Sequence, residues 1–228
     1  MENDCVLEIR YKPNPKILDV RGQIASNVSS TMNLNKWNVH FERIDFDNDD
    51  QDMHSIVSFK NIIFTIKNCE SSNYFRDQSV KFLRSVLQIP AFTDSNHIVR
   101  IGVRHRFYFP YSDSFENLFN LFLEKYWNIS PDLHEVLGHK LIDVNGAFTL
   151  STPNGKVNFN CGPMTSDQVK EFLPHLKSPS EVGLFVDSDY WVAPEKPMEI
   201  RPIINTVKNF CNENWPRVTD VKNYILGE

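Results

Sequence analysis

Residues 99–109 read VRIGVRHRFYF. In a β-strand successive side chains point to opposite faces. That alternation puts Val99, Ile101, Val103, His105 and Phe107 on one face and Arg100, Gly102, Arg104, Arg106 and Tyr108 on the other. The first set suits a core. The second carries three guanidiniums, which repel one another unless acids stand on the neighbouring strands. The stretch is therefore expected to be a strand within a sheet, with one apolar face and one charged face.

Suitable acids are present. In residues 182–192, VGLFVDSDYWV, the side chains of Phe185, Asp187, Asp189 and Trp191 share a face. Near the N-terminus, CVLEIRYK (5–12) alternates in the same way, with Glu8 and Arg10 on one face. If the three strands lie in one sheet, arginines and acids line a single polar surface. Arginine pairs bidentately with carboxylates and phosphates alike. Two readings follow: a cross-strand ion-pair network, or a recognition surface formed by Glu8, Arg10, Arg100, Arg104, Arg106, Tyr108, Asp187 and Asp189.

Flanking segments follow the same logic. Ile17, Val20, Ile24 and Val28 have helical spacing over 17–32. Residues 37–46, 54–59 and 62–67 alternate as strands. Asn73 is a candidate cap for a helix over 74–87, and Ser114 for an amphipathic helix bearing Phe115, Leu118, Phe119, Phe122 and Leu123. Strands are expected over 141–150 and 156–161 around a Pro153-Asn154-Gly155 turn. Thr165 caps a helix to Phe172. Helices over 197–213 and 218–226 are expected to break at Pro216. Antiparallel strands interrupted by helices predict an α+β fold, mainly an antiparallel sheet with helices on one face. No Pro/Gly/Ser-rich linker divides the chain, so 1–228 reads as one compact unit; the similar order of elements in 1–112 and 113–228 leaves two related sub-domains as the alternative.

The chain has 228 residues, 41% hydrophobic and 12% aromatic, with 17 Phe. That is enough for one substantial core. A formal charge of −5 and a pI near 5.8 give no overall pull toward nucleic acid or anionic membrane. MENDCVLEIR opens with acids and lacks the basic and apolar regions of a secretory signal. No apolar run reaches the roughly 18 residues that span a bilayer. The four cysteines, Cys5, Cys69, Cys161 and Cys211, lie far apart with no CxxC pair. Free thiols in a reducing cytoplasm are the expectation.

Several motifs fail on spacing. HEVLGH (134–139) places its histidines at i and i+5, so on a helix the rings point about 140° apart rather than toward one zinc ion. A helical turn over 131–137, a stop at Gly138 and a strand from near His139 is the expected arrangement. DFDNDDQD (45–52) puts Asp45, Asp47 and Asp49 at calcium-loop positions, but Asp50 replaces the required glycine and Ile56 the closing glutamate. An acidic hairpin loop is expected instead. No GxxxxGK[ST], GxGxxG or GxSxG occurs. No cofactor and no metal are expected.

CVLEIRYKPNP, IVRIGVRHRFYFP, GLFVDSDYW and FCNENWPRVTDVKNYI together resemble a sporadically distributed bacterial family of about this length that has no known activity. Its motifs are E-x-R-[FY], R-I-G-[LV]-R-Y, D-x-D and an aromatic before a T-D-containing helix. Glu8, Arg10 and Tyr11 match the first; Arg100, Ile101, Gly102, Val103 and Arg104 the second; Asp187 and Asp189 the third; Trp215, Thr219 and Asp220 the last. The chain departs at His105 and Arg106, where the family has Tyr and Asn. The family's patchy occurrence implies an accessory component, such as one linked to phage defence or to a toxin. The expectation is a cytoplasmic, non-enzymatic protein that binds another protein through its charged sheet face. The alternative is an enzyme or binder acting on a phosphorylated or nucleic-acid ligand.

Overall fold

The computed structural model describes residues 2–93, 97–127, 136, 138 and 141–227. Nine strands form one antiparallel sheet: β1 (Glu2–Tyr11), β2 (Lys36–Val39), β3 (Arg43–Asp47), β4 (Met53–Ser58), β5 (Asn61–Lys67), β6 (Ile98–Pro110), β7 (Gly146–Thr152), β8 (Gly155–Thr165) and β9 (Val182–Val192). Their spatial order is β2-β3-β4-β5-β1-β6-β9-β8-β7. The helices are α1 (Lys16–Asp19), α2 (Arg21–Thr31), α3 (Ser72–Leu87), α4 (Pro90–Thr93), α5 (Phe115–Phe122), α6 (Ser166–Phe172) and α7 (Ile200–Leu226), with a π-helical turn over Leu123–Trp127. The fold is α+β. The sheet runs unbroken across the boundary near residue 112, because β6 pairs with β9. No described helix is long and apolar enough to cross a membrane.

The sequence at 99–109 sits at the centre of this sheet, flanked by β1 and β9. Ile101, Val103, His105, Phe107 and Phe109 are buried on the helical side. Beside them lie Cys5, Leu7 and Ile9 of β1, Ile62, Phe64 and Ile66 of β5, and Leu184, Val186 and Tyr190 of β9. Helices α3 and α7 cover this face through Phe75, Phe82, Val86, Val207, Phe210 and Cys211. Val99 departs from the expected alternation. The register slips between Arg10–Arg100 and Tyr11–Ile98, so Val99 bulges out and is 45% exposed while Ile98 is buried.

Four boundaries differ from the sequence reading. Residues 37–46 form the hairpin β2–β3 around His40-Phe41-Glu42, a turn without the usual glycine, asparagine or proline. Ser71, not Asn73, caps α3 by accepting a hydrogen bond from the Tyr74 amide at 3.2 Å. The first of the later strands begins at Gly146 rather than Leu141. The C-terminal segment is one 27-residue helix through Pro216. Pro216 and Asn212 both face solvent, so the Asn212 carbonyl that loses its helical partner lies on the solvent side of the helix. On the buried side Asn214 Nδ2 donates to the carbonyls of Val103 and Ser188, each at 3.0 Å, and pins the helix across the β6–β9 seam. Thr165 caps α6 as expected, and it does so through a capping box with Gln168. The helical turn and strand start read from HEVLGH fall outside the described residues, apart from Val136, which is helical, and Gly138, whose φ of +67° suits a stop.

His105 is fully buried with no hydrogen-bond partner at either ring nitrogen. It is enclosed by the rings of Phe75, Phe107 and Trp215 at 5.4, 6.2 and 5.7 Å. Burial lowers its pKa from 6.5 to about 3. The fold therefore holds it neutral, while the unfolded chain takes up a proton below pH 6.5. Its contribution to stability is unchanged above pH 6.5 and falls as pH drops from 6.5 toward 3, at about 1.4 kcal/mol per pH unit. Replacing His105 with Phe is expected to retain the packing and flatten this part of the profile. Chemical denaturation of both proteins from pH 7 to pH 4 measures the difference, and parallel profiles would contradict the account.

Candidate functional site

The opposite face of the central strands carries the charges. Strand alternation and the register of β1, β6 and β9 bring together Asp4, Glu8 and Arg10, then Arg100, Arg104 and Arg106, then Asp187 and Asp189. Four arginines meet four carboxylates. Arg106 Nε donates to Asp4 Oδ1 at 2.8 Å and its Nη2 to Oδ2 at 2.5 Å, while Nη1 donates to the Phe172 carbonyl at 2.8 Å. Arg104 Nε donates to Asp187 Oδ1 at 2.7 Å, and its Nη2 engages Oδ2. Arg100 Nη2 reaches both oxygens of Asp189 at 2.7 and 2.6 Å, and its Nη1 reaches Glu8 at 3.1 Å. Arg10 closes the row on Glu8 at 2.9 Å.

These are not bare cations awaiting an anion. Each is already held by a carboxylate, so the network half of the sequence reading is physically realised. Burial pushes the carboxyls of Asp4 and Asp189 above their ordinary range, and the guanidiniums of Arg106 and Arg100 oppose that shift. The hydrogen bonds that Arg104 donates to Asp187 raise its pKa further and keep it a cation. Breaking one member of a buried pair leaves an uncompensated charge, which costs far more than the intact pair contributes.

Gly102 has a specific place in this row. The Arg100 guanidinium lies over it, and a Cβ there would collide with Nη1 and stand 2.8 Å from Cζ. The absent side chain lets Arg100 reach Glu8 and Asp189, on the two neighbouring strands, with the Trp191 ring 5.8 Å away. Tyr108, counted with the surface by alternation, is instead fully buried. Helix α6 folds over that end of the face, and Tyr108 packs with Val169, Leu173, Leu176 and Phe185. Its hydroxyl donates toward the carbonyls of Ser180 and Met164 at 3.0 and 3.3 Å.

The rest of the face is open. A cleft of about 240 Å³ is bordered by Val6, Glu8, Arg10, Ile63, Arg100 and Arg106. A second, of about 330 Å³, is bordered by Ala147, Thr149, Asn158, Asn160 and Asp187. Arg104 and Asp189 line both. Sequence reasoning missed Asp4, whose i, i+2, i+4 relation to Val6 and Glu8 was the available signal. It also missed Asn158 and Asn160, whose outward alternation on β8 was legible but unremarkable. Among the described residues no cluster of His, Cys, Asp and Glu is arranged to hold a metal ion. Of the acidic residues at 45–52, Asp45 and Asp47 lie in β3 and Asp49, Asp50 and Asp52 in the β3–β4 loop; Asp49 binds Asn35 and Lys36, and Asp47 binds His54. No family model matches the chain, and no curated protein matches it.

Replacing Gly102 with Ala is expected to unseat Arg100 and lower stability by about 1–3 kcal/mol, the range for a buried polar group left without its hydrogen-bond partner. Urea denaturation reads this directly. A stability equal to wild type would mean that the guanidinium does not depend on the gap.

Proposed function

We propose that the protein is a cytoplasmic, non-enzymatic binding protein whose open sheet face receives a polar segment of another protein at Arg104. The observation that carries this reading is the meeting of two clefts at Arg104 and Asp189. Arg104 is the arginine of the central strand with capacity to spare. Its side chain is 44% exposed, against 19% for Arg100 and 22% for Arg106, and it uses only Nε and Nη2 on Asp187. A guanidinium already fixed by one carboxylate is pre-organised to meet a second acceptor at little entropic cost.

The charge balance of the face favours a partner that offers both signs, or neutral amides, over a polyanion such as nucleic acid. The pairing also favours binding over catalysis. Both oxygens of Asp4, Asp187 and Asp189 already accept hydrogen bonds from guanidiniums, which leaves none of them free as a general base. The cytoplasmic placement rests on four unpaired, buried cysteines. An accessory, defence- or toxin-linked setting rests on the family resemblance alone.

The test removes the charge pair without stranding either partner. Arg104→Gln with Asp187→Asn keeps size and hydrogen bonding but loses both charges. Capture of partner protein from the native cell extract is expected to fall roughly tenfold or more, about 1.4 kcal/mol, while the melting temperature stays within a few degrees of wild type. Unchanged capture would contradict the reading. So would a loss of capture matched by a large fall in melting temperature, which would make the pair a structural element only.

A further inference from the structure

The sheet ends in two very different edges. At one end β2 is four residues long and carries Lys36, and a short, charged strand resists pairing with another chain. At the other end β7, GAFTLST, runs seven residues without a charge or a proline. Its register against β8 is unbroken from Gly146–Cys161 to Thr152–Gly155, so no bulge twists the edge away. Residues 147–151 are all exposed, including Phe148 at 42% and Leu150 at 51%. Among the described residues only β8 pairs with this strand. Among the described residues, none of the usual devices that protect an edge is present on it.

The hydrogen-bonding parity of the strand is fixed by its hairpin. Pro153 and Asn154 form a two-residue loop, so Thr152 and Gly155 are the closing hydrogen-bonded pair. Gly146, Phe148, Leu150 and Thr152 therefore bond to β8, and Ala147, Thr149 and Ser151 direct their amides and carbonyls outward. An antiparallel copy of the same strand centred on Thr149 meets this pattern. Thr149 then faces Thr149, and Ala147 faces Ser151, so every outward group finds a complement. The same register sets Phe148 against Leu150 on the helical side, where aromatic–aliphatic cross-strand pairs are favourable.

Those two side chains form the rim of an apolar groove of about 460 Å³ whose walls include Tyr126, Val157, Phe159 and Tyr190. Phe148 stacks on Tyr126 at 5.2 Å, and Gly146 leaves room for that ring, since a Cβ there would lie 2.7 Å from Tyr126 Cδ1. We infer that β7 is the docking edge for a second copy of this chain, the two β7 strands pairing antiparallel about a twofold axis at Thr149. At this register the strand is self-complementary in hydrogen bonding and in side-chain size, and it has no charge that would select a charged partner. An isologous contact of this kind closes on itself and yields a dimer rather than a fibre. It also continues the open face of one copy into that of the other.

Sedimentation velocity of the full chain over the micromolar range tests this. The wild type is expected to be a dimer that dissociates on dilution. Thr149→Lys and Thr149→Asp place like charges opposite each other at the axis, so each variant alone is expected to weaken dimerisation at least roughly tenfold. An equimolar mixture of the two restores a dimer, because opposite charges then face each other. Thr149 is exposed, and thermal melts of both variants are expected to match wild type at concentrations where the wild type is monomeric. A wild type that is monomeric at every concentration overturns the inference, as do variants that dimerise as tightly as wild type or a mixture that stays monomeric. The inference is independent of the binding reading: Arg104→Gln with Asp187→Asn leaves the dimer intact if β7 alone makes it.

Discussion

The structure depends on strand β6 lying between two strands that carry acids. Arg100, Arg104 and Arg106 occupy one face of the central strand, and no arrangement that left them unpaired would allow the strand to be so enclosed. Asp4 and Glu8 reach them from β1, and Asp187 and Asp189 from β9. The pairs are of two kinds: Arg106 bonds Asp4 directly across from it on β1, whereas Arg104 stands across from Asp189 but bonds Asp187, and Arg100 stands across from Arg10 but bonds Glu8. Together they tie each strand to the register of its neighbour. A one-residue slip would bury charges among the phenylalanines of the helical side and expose the core.

That register has consequences on the other face. It brings His105 beneath Phe75 and Trp215, and it places the carbonyls of Val103 and Ser188 where Asn214 bridges them. The long C-terminal helix therefore crosses the β6–β9 seam at a defined point. It tolerates Pro216 because the fault lies on the solvent side, two residues past that anchor. One arrangement of strands thus serves two surfaces: a dry aromatic core, and a charged face that is neutralised within itself yet partly open to solvent.

Much of this was legible in the sequence because period-two alternation is a strong signal in long strands. The alternation at 99–109 and 182–192 gave the charged face, and the span Val182–Val192 matches the strand observed. What escaped notice was the part that depends on context. Tyr108 has the same alternation as Arg104, but burial by α6 is set by a segment more than fifty residues away. The His40-Phe41-Glu42 turn lacks any turn residue, so its hairpin read as one strand. Pro216 is a helix breaker by local rule, and only the solvent-facing position of the proline explains why the helix continues. Gly102 was placed in the row of arginines by alternation alone. Its meaning, room for a guanidinium, appears only once the partners on both neighbouring strands are known.

The central claim is that the arginines and acids of this face are coupled, not merely adjacent. A double-mutant cycle on the most buried pair tests it: Asp4→Asn, Arg106→Gln and the two together, each measured by urea denaturation. Asp4 is 5% exposed and Arg106 22%. Strong coupling makes the Arg106→Gln single change costlier than the double change, with an interaction energy of about 2 kcal/mol or more. Single effects that simply add, to within about 0.5 kcal/mol, would show that the two charges hold their places independently and would contradict the account.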